Sequence, residues 1–148
     1  MTSIDKIKKL REETSISITE CKKALAESGG DTEKAKEILK KMGKNFSEKK
    51  KERETKEGII ESYIHSGKKV GVMIELNCES DFVARSQDFQ KLAHELCLQI
   101  AAIPPEEIPV LEQSWIRDEK IIIKDLVNDY IAKLGENIVL KRCIRYEI

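Results

Sequence analysis

The sequence is poor in aromatic residues (5 %), in proline (three) and in histidine (two), and it has no long apolar run. A membrane-spanning helix needs about 20 consecutive apolar residues, and no apolar stretch at the N-terminus resembles a secretory signal, so a cytoplasmic chain is expected. The four cysteines, Cys21, Cys78, Cys97 and Cys143, stand far apart without a C-x-x-C pair. With only His65 and His94 to assist them, tetrahedral zinc ligation has no local spacing to support it, and buried or half-buried free thiols are expected. The phosphate-cradling G-x-x-x-x-G-K-[ST] loop, the dinucleotide G-x-G-x-x-G, the H-E-x-x-H zinc motif and a nucleophile elbow are all missing. His94 lies beside Glu95 within an expected helix, and His65 lies at an expected hairpin end without a partner in sequence. Neither reads as a general base. No catalytic residue, metal site or cofactor is expected, and the chain does not read as an enzyme.

Charge of one sign is also missing overall, since 27 basic and 27 acidic residues cancel. Residues 1–39 balance at eight of each, residues 40–56 carry eight basic groups against three acidic, and 57–148 are left at −5. A basic neck thus separates a neutral head from an acidic body. Duplex nucleic acid needs a broader positive face. The neck alternates its lysines with Glu48, Glu52 and Glu54 and has no aromatic beyond Phe46, which favours a solvated helix.

What the chain does have is period. Residues 1–43 read as three short helices. Ser3 is placed to cap the first, with Ile4, Ile7 and Leu10 on its apolar face, and Thr14-Ser15-Ile16 breaks the pattern. Ser17-Ile18-Thr19-Glu20 has the form of a capping box; this second helix carries Ala24 and Leu25 and stops at Gly29-Gly30. Asp31 caps the third, with Ala35, Ile38 and Leu39 inward, and Gly43 is expected to end it. Residues 44–57 read as a charged linker or helix.

From 58 onward the period becomes two. Ile60, Ser62 and Ile64 alternate with Glu61, Tyr63 and His65, a turn follows at Ser66–Lys69, and Val70, Val72, Ile74, Leu76 and Cys78 share one face. A helix with Phe89, Leu92, Ala93, Leu96, Ile100 and Ile103 in its stripe ends at Pro104-Pro105. A second, over 123–134, carries Ile123, Leu126, Val127, Tyr130, Ile131 and Leu134 and stops at Gly135. The tail alternates again, with Ile138, Leu140, Ile144 and Tyr146 on one side. The expected fold is α+β: a three-helix head over 1–43, the linker 44–57, and a body over 58–148 in the order β-β-α-α-β, its three-stranded antiparallel sheet backed by helices.

The segment Asn77–Arg85 holds a phenylalanine in a polar corner between strand and helix. Two readings fit the residues. Ser80 or Asp81 caps the next helix while Phe82 folds back as a staple, or Phe82 protrudes beside a carboxylate as an anchor for a partner, the kind of side chain that carries about 2 kcal/mol or more at an interface.

Asn77-Cys78-Glu79-Ser80-Asp81-Phe82-Val83-Ala84-Arg85 closely resembles the N-C-E-T-D-F-V-A-R signature of the elongation factor Ts family, with serine in the threonine place. Glu61–His65 and Val70–Leu76 resemble that family's preceding hairpin. Leu10-Arg11-Glu12, Cys21–Leu25 and Gly30–Ala35 resemble its ubiquitin-associated-like head, and Leu134–Val139 its closing strand. The likeness runs in order along nearly the whole chain. It implies a guanine-nucleotide exchange factor that binds elongation factor Tu, both GDP-bound and nucleotide-free, and promotes GDP release during translation elongation. By the same resemblance, Asp81 and Phe82, flanked by Ser80 and Val83, enter the partner near its magnesium site, while Ile18, Thr19 and Lys23 make the head's contacts. Mg²⁺ and nucleotide belong to the partner, so no cofactor, nucleic acid or membrane is implied for this chain. Short family members imply a homodimer built on the sheet.

Three departures stand out. Ser15-Ile16-Ser17-Ile18-Thr19 replaces a G-A-G-M-M-like stretch, with Glu13 where arginine is usual. The step from Pro109 to Leu111-Glu112-Gln113 omits a segment that relatives carry, and Cys143 sits one place from a cysteine of some short members, so no intersubunit disulfide is carried over. A rival reading, a ubiquitin-associated-type interaction module without exchange activity, accounts for residues 1–43 but leaves the hairpin and Phe82 idle.

Overall fold

The computed structural model describes residues 2–14 and 16–148, and the side chains of all of these but 43–49. Ser15, in the expected break, and the side chains of Phe46 and Glu48, in the expected neck, lie outside the described residues. Internal contacts divide the chain into two compact units, Met1–Lys49 and Lys50–Ile148.

The first unit is a bundle of α1 (Ser3–Thr14), α2 (Ile18–Glu27) and α3, which starts at Thr32. Leu10, Cys21, Ala24, Leu25, Ala35 and Leu39 form its core. Its caps are mostly those the sequence signals. The Ser17 hydroxyl accepts the Glu20 amide at 3.3 Å, and Asp31 Oδ1 accepts the amides of Glu33 and Lys34 at 3.0 and 3.2 Å. Gly29 and Gly30 take positive φ where α2 ends, a conformation that costs glycine no Cβ clash. Two expectations are corrected. Thr2, not Ser3, caps α1, its hydroxyl accepting the Asp5 amide at 3.2 Å while donating to the Asp5 carboxylate at 2.7 Å. Ile4 stays 63 % exposed rather than joining the core. In addition, α3 does not stop at Gly43 but runs on to Lys50. A glycine inside a helix costs only about 1 kcal/mol, and the lysines and glutamate that follow are good helix formers.

In the second unit β1 (Glu57–Ile64), β2 (Val70–Cys78) and β5 (Val139–Glu147) form an antiparallel sheet in the order β1-β2-β5. A turn with Gly67 and Lys68 at positive φ joins β1 to β2. Val72, Ile74, Leu76 and Cys78 are buried on the inner face, as alternation requires, against Phe89, Leu92, Ala93, Leu96 and Ile100 of α5 (Gln87–Ala102) and Ile123, Leu126, Val127 and Ile131 of α6 (Ile123–Leu134). Each valine, leucine, isoleucine or phenylalanine among these, taken from water, contributes roughly 1.5–3 kcal/mol. Gly135, at φ 75°, ends α6. The molecule is thus mixed α+β, with a three-stranded antiparallel sheet backed by helices.

The closing strand departs from simple alternation. Leu76 pairs with Leu140 but Glu75 pairs with Arg142, so Lys141 is an extra residue in a bulge. Ile138 is buried and Leu140 half-buried, yet Ile144 and Tyr146 beyond the bulge are exposed. They do not share the face of Ile138 and Leu140; Cys143 and Arg145 turn inward instead. A bulge shifts the side-chain phase by one residue and so swaps faces. Arg145 uses its inward position to donate to the carbonyls of Ile100 and Ala101, both at 3.0 Å, at the end of α5.

The connection between α5 and α6 also holds a hairpin that periodicity did not signal, β3 (Ser114–Trp115) with β4 (Asp118–Ile122). Two buried glutamines tie it down. Gln99 donates to Gln113 Oε1 and to the Ser114 carbonyl and accepts the Ile116 amide, while Gln113 donates to the carbonyls of Ile103 and Ile108. Arg117 adds a 2.7 Å bond to the buried Glu95. Two-residue strands have little intrinsic stability; buried amides with satisfied partners fix the loop instead.

Burial also sets a response to alkali. Desolvation pushes the Cys78 thiol up to about 11 and the Cys97 thiol up to about 12, from an ordinary 9.0, and raises the Tyr130 phenol as well. Above about pH 9 the unfolded chain has lost thiol protons that the folded body still holds, so unfolding binds fewer protons and stability falls as pH rises. Burial raises the Cys143 thiol too; burial and the Arg53 charge lower the Lys50 ammonium, which acts in the opposite sense, but four groups outweigh one. The body's thermal midpoint should therefore be lower near pH 10.5 than near pH 8 in scanning calorimetry; equal midpoints would contradict the assigned burial of these thiols.

Candidate functional site

The corner between β2 and α5 is where the chain exposes what it ordinarily hides. After Cys78 the backbone leaves the sheet, and Asp81–Ala84 forms a single helical turn, α4. Ser80 caps it by accepting the Val83 amide at 3.2 Å. Ser86 opens α5 by accepting the Phe89 amide, also at 3.2 Å. Two caps six residues apart force a sharp double turn. A one-turn helix buries only one side, and here Val83 and Ala84 fill the core. Asp81 and Phe82 are left on the opposite side.

Phe82 is 87 % exposed. The capping half of the first reading is therefore present, through Ser80, but the staple half is not, because the ring does not fold back. Asp81, also exposed, pairs with the Arg85 guanidinium one turn on. Ser80 is half-buried and Val83 buried, so of the four residues expected at this site only Asp81 and Phe82 project. Among the described residues no group of three or more His, Cys, Asp or Glu is placed to hold a metal ion.

Sequence reasoning missed what lies behind the corner. Glu136 Oε1 accepts the amides of Glu79 and Ser80 at 3.1 and 2.9 Å, and Oε2 accepts the Ser80 hydroxyl at 2.6 Å. Glu79 answers by accepting the Asn137 amide at 2.8 Å, and Asn137 donates to the carbonyls of Lys51 and Arg53 at 3.3 and 2.9 Å. The signal available was a Gly-Glu-Asn turn after α6, polar and close to the expected start of a strand.

In the head, Ile18 is 52 % exposed, and Thr19 and Lys23 are exposed with it on α2. Lys23 stands 3.8 Å from Glu20. Ile18 lines an apolar groove with Ile4 and Ile7, edged by Lys8, Arg11 and Glu12.

Comparison with known proteins sets this geometry in a family. The family model described as "Elongation factor TS" matches residues 79–148, beginning at the corner itself. Over 99 % of its length the chain is 42 % identical to elongation factor Ts of Thermotoga petrophila, covering 96 % of that protein. This chain belongs to the elongation factor Ts family. Elongation factor Ts of Coprothermobacter proteolyticus is 39 % identical over 96 % of this chain and 95 % of its own, and that of a Thermoanaerobacter species is 38 % identical over 99 % and 95 %. Membership in the elongation factor Ts family gives the chain a role as a translation elongation factor. The Thermotoga alignment spans 190 positions against the 148 residues here, a difference of 42. That relative of elongation factor Ts therefore carries residues for which this chain has none. No described helix is long and apolar enough to cross a membrane.

Proposed function

We propose that this chain binds elongation factor Tu and promotes GDP release from it, with Phe82 as an apolar wedge and Asp81 as its polar neighbour near the partner's magnesium site. One observation carries the reading: a phenylalanine 87 % exposed at a capped strand-to-helix corner whose neighbours Val83 and Ala84 are both buried. An aromatic ring held in water gains roughly 1.5–3 kcal/mol when a pocket accepts it, and that gain is available to a partner and not to this fold. Ser80 and Val83 serve the wedge from behind by fixing α4. Ile18, Thr19 and Lys23 supply a second contact from the head.

Exchange of this kind needs no catalytic residue. The chain has only to bind the empty partner more tightly than the GDP-loaded one, and linkage then makes it weaken nucleotide binding by the same factor. Mg²⁺ and nucleotide remain the partner's ligands. The test is release of labelled GDP from elongation factor Tu with this chain present at sub-stoichiometric concentration. Release should accelerate; binding without acceleration would leave the rival reading, an interaction module of ubiquitin-associated type.

The outer face of the sheet supports a homodimer as the working form. Ile60, Ile64, Met73, Ile144 and Tyr146 are 45–70 % exposed there. Ile144 pairs with Met73, and Ile64 and Tyr146 both pair with Gly71, so the exposed residues adjoin across all three strands. Light scattering should give twice 16.9 kDa, and Tyr146→Glu with Met73→Lys should return the mass to that of one chain. A monomer at every concentration for the unaltered protein would remove the dimer.

A further inference from the structure

The reading of Phe82 as a wedge raises a mechanical question, since a ring 87 % exposed has too little packing to fix its own direction. Its backbone belongs to a helix of four residues, and a single turn is not stable alone. Something must hold the turn while the ring meets resistance. Arg85 is poorly suited, for its pairing with Asp81 is itself on the exposed side, where ion pairs contribute little.

The better support lies on the covered side. The three bonds to Glu136 converge on Glu79 and Ser80, the two residues just before the turn, and reach them from 56 and 57 positions away in sequence. Bonds from neutral donors to a carboxylate are roughly twice as strong as neutral pairs. The bond at 2.6 Å does one thing more. A serine hydroxyl has one hydrogen and two lone pairs. Sending that hydrogen to Glu136 Oε2 leaves the lone pairs free, and one of them accepts the Val83 amide at 3.2 Å. Glu136 thereby sets the rotor that caps α4. Its own position is secured next door, where Asn137 is 2 % exposed and spends its amide bonds on Glu79, Lys51 and Arg53.

We propose that Glu136 is a positioning residue for nucleotide exchange: by holding the Glu79 and Ser80 amides and orienting the Ser80 hydroxyl, it keeps α4 rigid and aims Phe82. The proposal rests on the wedge reading and goes beyond it in naming what the wedge is braced against. A misplacement of about 1 Å can cost a hundredfold in rate, so partial loosening of the turn should show as a drop of roughly tenfold.

Stopped-flow release of a fluorescent GDP analogue from elongation factor Tu, measured across concentrations of this chain, tests it. Glu136→Ala should lower the plateau rate about tenfold and leave the half-saturating concentration within about twofold. Glu136→Gln keeps an oxygen for both amides but puts an NH2 group where the Ser80 hydroxyl finds its acceptor, so it should restore only part of the plateau. If Glu136 merely stabilised the body, part of the Glu136→Ala protein would be inactive, and the half-saturating concentration would rise with the plateau intact. That result overturns the proposal, as does an unchanged plateau. Should Glu136→Ala fail to fold, Ser80→Ala removes the oriented hydroxyl alone and should still lower the plateau; no effect from Ser80→Ala would then count against it. Failure of the wedge reading appears separately, as full activity in Phe82→Ala with Glu136 intact.

Discussion

Replacing Phe82 with alanine should slow stimulated GDP release by about thirtyfold or more while leaving the unfolding midpoint where it was. The two halves of that expectation have different sources. A hot-spot aromatic is worth about 2 kcal/mol or more, and each 1.4 kcal/mol is a factor of ten, which sets the rate. The absence of a stability effect follows from exposure: at 87 % exposed the ring has almost no buried area to lose, and surface truncations of this kind usually stay within about 0.5 kcal/mol. The pairing of results is what discriminates. A midpoint that falls together with the rate would mean the ring packs inside its own chain in solution, and the wedge would have to be abandoned. Both quantities come from the same preparation by stopped-flow release and thermal denaturation.

The second large effect is expected at Gly58. It pairs with Asn77 at the end of the sheet that leads into the corner. A Cβ there would sit 2.3 Å from the Leu76 carbonyl oxygen, 2.6 Å from Asn77 Oδ1 and 2.8 Å from Asn77 Cα. Two of those three obstacles are backbone and cannot rotate away. Relief requires β1 to move off β2, so Gly58→Ala should cost about 1–3 kcal/mol or more, the range for forced overpacking. Gly71 is the built-in comparison. It lies across the same strand pair, in β2, but its added Cβ meets only the Ile64 side-chain tip, at 3.0 Å. Urea titrations should rank Gly58→Ala far below Gly71→Ala in stability; equal losses would mean the β1–β2 approach is looser than described.

Much of the architecture was legible from spacing alone, because repetition is how a chain writes its buried faces. The stripe of α6 came out residue for residue at 123–134, and the inner face of β2 did from Val72 to Cys78, with Val70 only half-buried outside the core. What escaped has common causes. A two-residue strand such as β3 is too short to show a period, and its anchors, Gln99 and Gln113, are residue types that mark no face. The run of α3 past Gly43 depended on the helix formers beyond it rather than on the glycine. At the site, the protruding ring could be named as a possibility from its polar surroundings. Its direction could not, since that is decided by Glu136, an acidic residue indistinguishable in composition from the other acidic residues of the body.

The extra residue at Lys141 has a consequence of its own. It works as a half-period phase shifter, letting one strand serve two clients in succession. Before it, the branched side chains of Ile138 and Leu140 go to the interior; after it, the interior takes the Arg145 guanidinium to finish the last turn of a helix, and isoleucine and tyrosine are handed outward. A strand without that slip would have to choose between terminating the helix and dressing the outside of the sheet with apolar groups.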